Sequence, residues 1–231
     1  MSRITPETFG GGAALYAVLK RIPQSLNLET LRSRYDFPDF DHEYTRYFGD
    51  VDAAHRPTSI DLRGPLLFGI AESERARHFP GALQGGDYSL AGKLMRWGHD
   101  GDRRIDRSGN LVQQPTDDAY LDKLTADATP IVQCPGAYGA SSPALDRLVD
   151  TTLDHGALGA SLTGAGIAGT VLALCRAEDA EVIAAGVREA MAGKPYQEAA
   201  GFSQPITTNE LDRAVVVNHA VSGAGEIWLS A

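Results

Sequence analysis

The stretch Gly156-Ala157-Leu158-Gly159-Ala160-Ser161-Leu162-Thr163-Gly164-Ala165-Gly166-Ile167-Ala168-Gly169-Thr170, followed at once by Val171 to Leu174, decides how the rest of the chain is read. Five glycines and four alanines in these fifteen residues give a backbone that can approach a phosphate or a neighbouring loop closely. The apolar run behind it reads as a short buried strand. Such a loop is either part of a nucleotide site or a tight packing element. Gly164, Gly166 and Gly169 also match the dinucleotide-binding pattern, but here the glycines precede a strand, whereas that fingerprint follows one and opens a helix.

Just upstream, Ser142 and Pro143 form an N-cap and first-turn pair. Leu145, Leu148, Val149 and Leu153 make the apolar stripe of a helix reaching His155. Downstream, Glu178 to Met191 reads as a helix with Val182, Ile183, Val187 and Met191 inward, and Ala214–Val217 and Glu226–Leu229 read as strands. The order helix, glycine loop, strand, helix, strand, strand predicts an α+β fold. Its antiparallel sheet carries helices packed on one face.

Further toward the N-terminus, residues 10–22 predict a helix stopped by Pro23, and Ser25 or Asn27 is placed to cap another over Leu28–Tyr35. Residues 36–56, rich in aspartate, aromatics and histidine, read as irregular or as a cap over the body. Thr58–Gly64 follows as a strand start and turn. Leu66–Phe79 and Tyr88–Trp97 predict helices, the second capped by Asp87. The polar stretch 101–130 is too long for a plain loop and is expected to hide a helix near Ala119–Leu124. The boundary falls at 57: residues 1–57 form an N-terminal extension and 58–231 the main domain.

The chain has 231 residues and a formal charge of −9, from 21 Lys and Arg against 30 Asp and Glu. That balance disfavours a nucleic-acid partner, which needs a basic face. A small anion remains possible, because helix N-termini and a few arginines can hold one. No apolar run is long enough to span a membrane, and no signal core opens the chain; a cytoplasmic location is expected. Cys134 and Cys175 lack the spacing of a disulfide framework or a zinc site. His42, His55 and His78 show no ligand spacing, so no metal site is expected. Asp146 and Arg147 read as a solvated charge pair. No serine sits in a nucleophile elbow.

The run Leu158 to Leu174, with Pro143-Ala144-Leu145-Asp146-Arg147-Leu148-Val149 before it, resembles the third conserved motif of the GHMP small-molecule kinases, nearest the galactokinase and arabinokinase branch. The stretches Ile70 to Arg75, Ala82 to Asp87, Ala91 to Met95 and His99 resemble family blocks in the same order. Ser222 to Leu229 resembles the arabinokinase-like ending. The resemblance covers residues 60–231 and implies the ferredoxin-like C-terminal domain of that family.

Within the resemblance, Thr163, Gly164, Ala165, Gly166 and Gly169 are the expected nucleotide-side contacts. Asp61 and Arg63 are expected to face a sugar hydroxyl or a partner, and His99 to hold a helix end. Leu162 stands where the family has Arg or Lys, Thr170 replaces the last glycine, and Asp100 to Arg104 departs from the usual residues. The family's serine-bearing phosphate loop and its catalytic aspartate, carried by the N-terminal half, have no counterpart in this sequence. The expectation is therefore the C-terminal half of a sugar kinase, without catalytic residues of its own. ATP and Mg²⁺ would bind only in a complete assembly, and none to the chain alone. The expected partners are a separate polypeptide bearing the N-terminal half, or a second copy, with a small sugar as substrate. A non-catalytic ligand-binding or regulatory protein keeping this fold is the alternative, and the chain reads equally as a whole product or as a piece of a longer kinase.

Overall fold

The computed structural model describes residues 5–35, 37–164, 166 and 169–218. The fold is α+β. Helix α1 (Gly12–Lys20) leads to β1 (Ser25–Asn27), α2 (Leu28–Arg34) and α3 (Phe40–Phe48), then β2 (Ser59–Asp61). A long α4 (Arg63–Gln84) and α5 (Tyr88–Asp102) follow, then α6 (Asp118–Ala126) and α7 (Pro143–Asp154). Next come β3 (Gly159–Thr163), β4 (Thr170–Leu174), α8 (Ala180–Ala192), α9 (Lys194–Ala199) and α10 (Thr208–Ala214).

The helix starts are written in short polar side chains. Asn27 accepts from Glu29 N at 2.8 Å, Asp87 from Leu90 N at 2.9 Å, Asp117 from Tyr120 N at 2.8 Å and Ser142 from Leu145 N at 3.3 Å. Each satisfies one of the orphan donors of a first helical turn. The expected helices over 10–22, 28–35, 66–79, 88–97 and 119–124 are all present, most of them longer than their apolar stripes.

One core joins α1, α4 and α6: Leu15, Tyr16, Leu19, Leu67, Ile70, Ala71, Leu121 and Leu124 are buried with Ile131 and Cys134. The Tyr16 hydroxyl donates to the Thr129 carbonyl at 2.7 Å, so its burial strands no polar atom. A smaller core gathers Ala157, Ile183, Val187, Met191 and Leu211 under α7, α8 and α10. Helices α5 and α7 pack on the β3–β4 hairpin between them. Among the described residues both sheets are two-stranded and antiparallel, β1 with β2 and β3 with β4.

Several expectations change. Residues 36–56 contain α3, whose aromatics Phe40, Tyr44 and Phe48 stack along one side. The glycine-rich run is a strand for its first half: β3 lies within it, pairing Gly159 to Thr163 with Leu174 to Thr170. Strand β4 is not buried; Leu172 is 58% exposed. Val182 is 70% exposed, because the inward stripe of α8 runs through Ala180, Ile183, Ala184, Val187 and Met191. Ala214 ends a helix, and Val215–Val217 form no strand, because the Thr207–Glu210 capping box starts α10 just before them. Glu226–Leu229 lie outside the described residues. No helix among the described residues is long and apolar enough to cross a membrane.

Candidate functional site

The tip of the β3–β4 hairpin is the glycine-rich turn. Thr163 and Thr170 face each other as its last strand pair, and both are exposed. Gly164 (φ +82°) and Gly166 (φ +74°) adopt the left-handed conformation that only glycine enters freely. Around Gly164 the space for a Cβ is open, so an approaching ligand meets bare backbone. Gly166 is the opposite: a Cβ there would collide with the Ala140 carbonyl oxygen. The turn thus has an exposed side and a side seated on residues 139–141. Gly169 is exposed beside Thr170, and Ala165 lies outside the described residues.

The seat is fixed by buried acids on α5 and α7. Asp102, the last residue of α5, accepts from Ala140 N with its carboxylate at 3.3 Å and from Ser141 N with its carbonyl at 2.9 Å. Asp146, fully buried on α7, accepts from the Ser141 hydroxyl at 2.6 Å and from Arg104 N and Ile105 N at 2.8 Å each. His99 Nε2 lies 3.2 Å from Asp146 Oδ1, the oxygen that also accepts from the Ser141 hydroxyl. One carboxylate therefore ties α5, the turn after it, and the seat of the glycine loop together.

The two acids are driven in opposite directions. Burial pushes the Asp102 carboxyl up to about 6, only partly offset by the Ala140 amide and by His99. Burial acts the same way on Asp146, yet His99, the Ser141 hydroxyl and the two backbone amides outweigh it and hold the carboxyl below its ordinary value.

Asp61 is exposed at the end of β2, opposite Ser25. Arg63, 4% exposed at the start of α4, spends its guanidinium on the fold. Its nitrogens donate to the carbonyls of Ile22 (2.9 Å), Lys20 (3.1 Å) and Thr116 (3.0 Å) and to the Asp118 carboxylate (2.7 Å). In this conformation it clamps the end of α1 against α6. The sequence pair Asp61 and Arg63 thus divides into one exposed carboxylate and one structural cation.

The reading of Asp146 with Arg147 as a solvated pair is overturned by complete burial of Asp146. His99 holds the end of α5 at 1% exposure. Asp102 carries no signal of its own, since the Ala140 and Ser141 amides it accepts from lie almost forty residues away in the chain. Among the described residues, no group of three or more His, Cys, Asp or Glu side chains is arranged to hold a metal ion.

Residues 81–193 match the family described as GHMP kinases C terminal. The matched span runs from the end of α4 through α8 and contains the glycine-rich hairpin with its entire buried support. Over these residues the chain is similar to the C-terminal domain of that family. No curated protein matches the chain.

Proposed function

We propose that the chain acts in the cytoplasm as the C-terminal half of a galactokinase-like sugar kinase, completing a phosphoryl-transfer site whose other half lies outside these residues. The observation that carries this reading is the asymmetric glycine turn. Its Thr163–Gly164 side is bare and exposed, while Gly166 locks its back onto Ala140. A preorganised backbone edge of this kind suits a phosphate, because its N–H groups need no rearrangement when charge develops.

ATP would supply the transferred phosphoryl group and Mg²⁺ would neutralise its charge. In this chain Thr163 offers a hydroxyl and Gly164 unobstructed main chain. Leu162, in place of a cation, leaves positive charge to come from the partner. The exposure of Leu172 on β4, next to the turn, is consistent with an apolar partner surface covering this hairpin.

The test is reconstitution. The chain is purified with candidate polypeptides carrying a GHMP N-terminal half, and the mixtures are assayed with ATP, Mg²⁺ and galactose or arabinose. Phosphorylation by the pair, absent from either component, supports the proposal. A stable pair without sugar-dependent turnover overturns it in favour of a non-catalytic role.

A further inference from the structure

Asp102 stands at the joint between α5 and the seat of the glycine turn. The end of α5 satisfies four consecutive amides of that seat. Tyr138 N and Gly139 N donate to the Gly101 carbonyl at 2.8 and 3.0 Å, and Ser141 N donates to the Asp102 carbonyl at 2.9 Å. The fourth amide, Ala140 N, donates to the Asp102 carboxylate at 3.3 Å. Ala140 is also the residue against which Gly166 packs. Of these four bonds only the one from Ala140 has a titratable acceptor, and it falls where the turn rests.

The charges around the carboxylate are engaged elsewhere. On α5, His99 faces Asp146 at 3.2 Å, and Asp100 faces Arg103, which itself pairs with Asp150. From α4, Arg75 is committed to Glu72 at 2.6 Å and to the Val132 and Cys134 carbonyls at 3.0 and 2.9 Å, while Glu72 brings a like charge. From α7, Asp146 is a second buried acid. Beyond α5 the Arg104 guanidinium reaches the Gly139 carbonyl, and in the seat the Tyr138 ring stacks on Phe68. Asp102 is 7% exposed, so its ionised form is a buried charge without a cation of its own. The same balance pushes its carboxyl up to about 6. The end of α5 has no room to shift, since a Cβ on Gly101 would strike the Pro135 carbonyl. Relief is left to the side chain, which turns to water only by letting go of Ala140.

We propose that Asp102 is a proton-operated latch on the glycine turn: protonated, its carboxyl stays buried and holds Ala140 under Gly166, and ionised, it swings toward solvent and releases the seat. The latch works within this chain, whether or not the turn meets a nucleotide.

Native-state hydrogen exchange of the full chain tests the latch, with each amide's rate referred to that of an unstructured chain at the same pH. From about pH 4 to about pH 8, protection at Ala140 and Ser141 should fall roughly 100-fold, the span between a carboxyl at about 6 and one at 3.8. The loss should depend little on urea up to about 1 M, the mark of a local opening that exposes little surface. Asp102→Asn should keep both amides at their low-pH protection throughout. Wild-type protection that does not change with pH overturns the proposal. So does a urea dependence at Ala140 and Ser141 as steep as that of the buried Leu67 and Leu121 amides, because the seat would then open only with the whole fold. Both of these outcomes are read from the wild-type chain, so they stand even where the variant does not fold. A pH dependence that Asp102→Asn leaves in place also overturns the latch, by assigning the titration to another group.

Discussion

Gly92 on α5 and Gly159 at the start of β3 meet backbone to backbone. A Cβ on Gly92 would run into the Leu158 carbonyl, and one on Gly159 into the Gly92 Cα. This contact sets how closely the hairpin lies on α5, and through it where the glycine turn sits relative to His99 and Asp102. Nothing flexible is available to yield, because the opposing atoms are main chain.

Gly92→Ala is therefore expected to destabilise the fold by about 3 kcal/mol, the upper end of ordinary overpacking. Gly69, on the exposed side of α4 with open space around it, is the matched control. Gly69→Ala should stabilise by about 0.5–1 kcal/mol through helix propensity alone. Urea unfolding midpoints for the two variants check both signs. Equal midpoints would mean that α5 and β3 separate freely.

The two left-handed glycines of the turn should respond differently. Gly164→Ala pays only the left-handed conformation, about 1–2 kcal/mol, because the space around it is open. Gly166→Ala pays that and a collision with the Ala140 carbonyl. Hydrogen exchange locates the damage: amides of Ala140 and Ser141 should lose protection in Gly166→Ala, while those of α1 and α6 keep theirs. Loss of protection across the whole chain would show that the turn is part of the global core.

Much of this arrangement could be read from the residues themselves. Asn27, Asp87, Ser142 and Pro143 announced their helices because capping is a local act between neighbours in sequence. β3 was hidden because Gly159, Ala160 and Ser161 have weak strand preference; only the pairing with β4 makes them a strand. Leu172 pointed inward on composition and outward in fact, since a two-stranded hairpin buries only the face its helices cover. The buried role of Asp146 was missed for a different reason. An acid followed by a cation on a helix looks solvated, and its true partners, Arg104 and Ile105, sit in another loop. The motif around Leu145, Asp146 and Val149 was the one signal that pointed to it.

Asp146→Ala should be among the most damaging single changes. It leaves the Ser141 hydroxyl and the Arg104 and Ile105 amides buried without an acceptor. Breaking a buried charge in this way costs about 3–5 kcal/mol. Because its folded carboxyl is held below the ordinary value of 3.8, its contribution is present above that pH and is lost as pH falls through the depressed value. Denaturation at pH 7 and pH 3 should show a large gap between wild type and variant at the first and a smaller one at the second.

Asp102 works with the opposite sign. Its folded carboxyl is raised to about 6 from 3.8, so the folded state binds the proton more tightly than the unfolded chain. That stabilisation is full below about pH 4 and is lost as pH rises through about 6. Asp102→Asn keeps an oxygen for the Ala140 amide and removes the titration. Relative to wild type it should gain stability on the order of 2–3 kcal/mol between pH 4 and pH 8. Urea midpoints measured across that range test it, and parallel pH profiles for the two proteins would show that Asp102 does not titrate in the fold.

The isolated chain is expected to show no sugar-dependent ATP consumption. The turn provides Thr163 and bare backbone, but residues 156–170 carry no cationic side chain to oppose the developing charge and no acidic one to take a proton. Each missing preorganised donor costs about 3–4 kcal/mol, or roughly 100- to 1,000-fold in rate. An initial-rate assay with ATP, Mg²⁺ and a panel of sugars measures this directly. Turnover by the chain alone at about 1–100 s⁻¹, the usual kinase range, would overturn the division of labour proposed here. The same assay with the reconstituted pair separates the two causes of a silent chain. Activity restored by the partner, and lost again in Gly166→Ala, would tie catalysis to the seat of the glycine turn on Ala140.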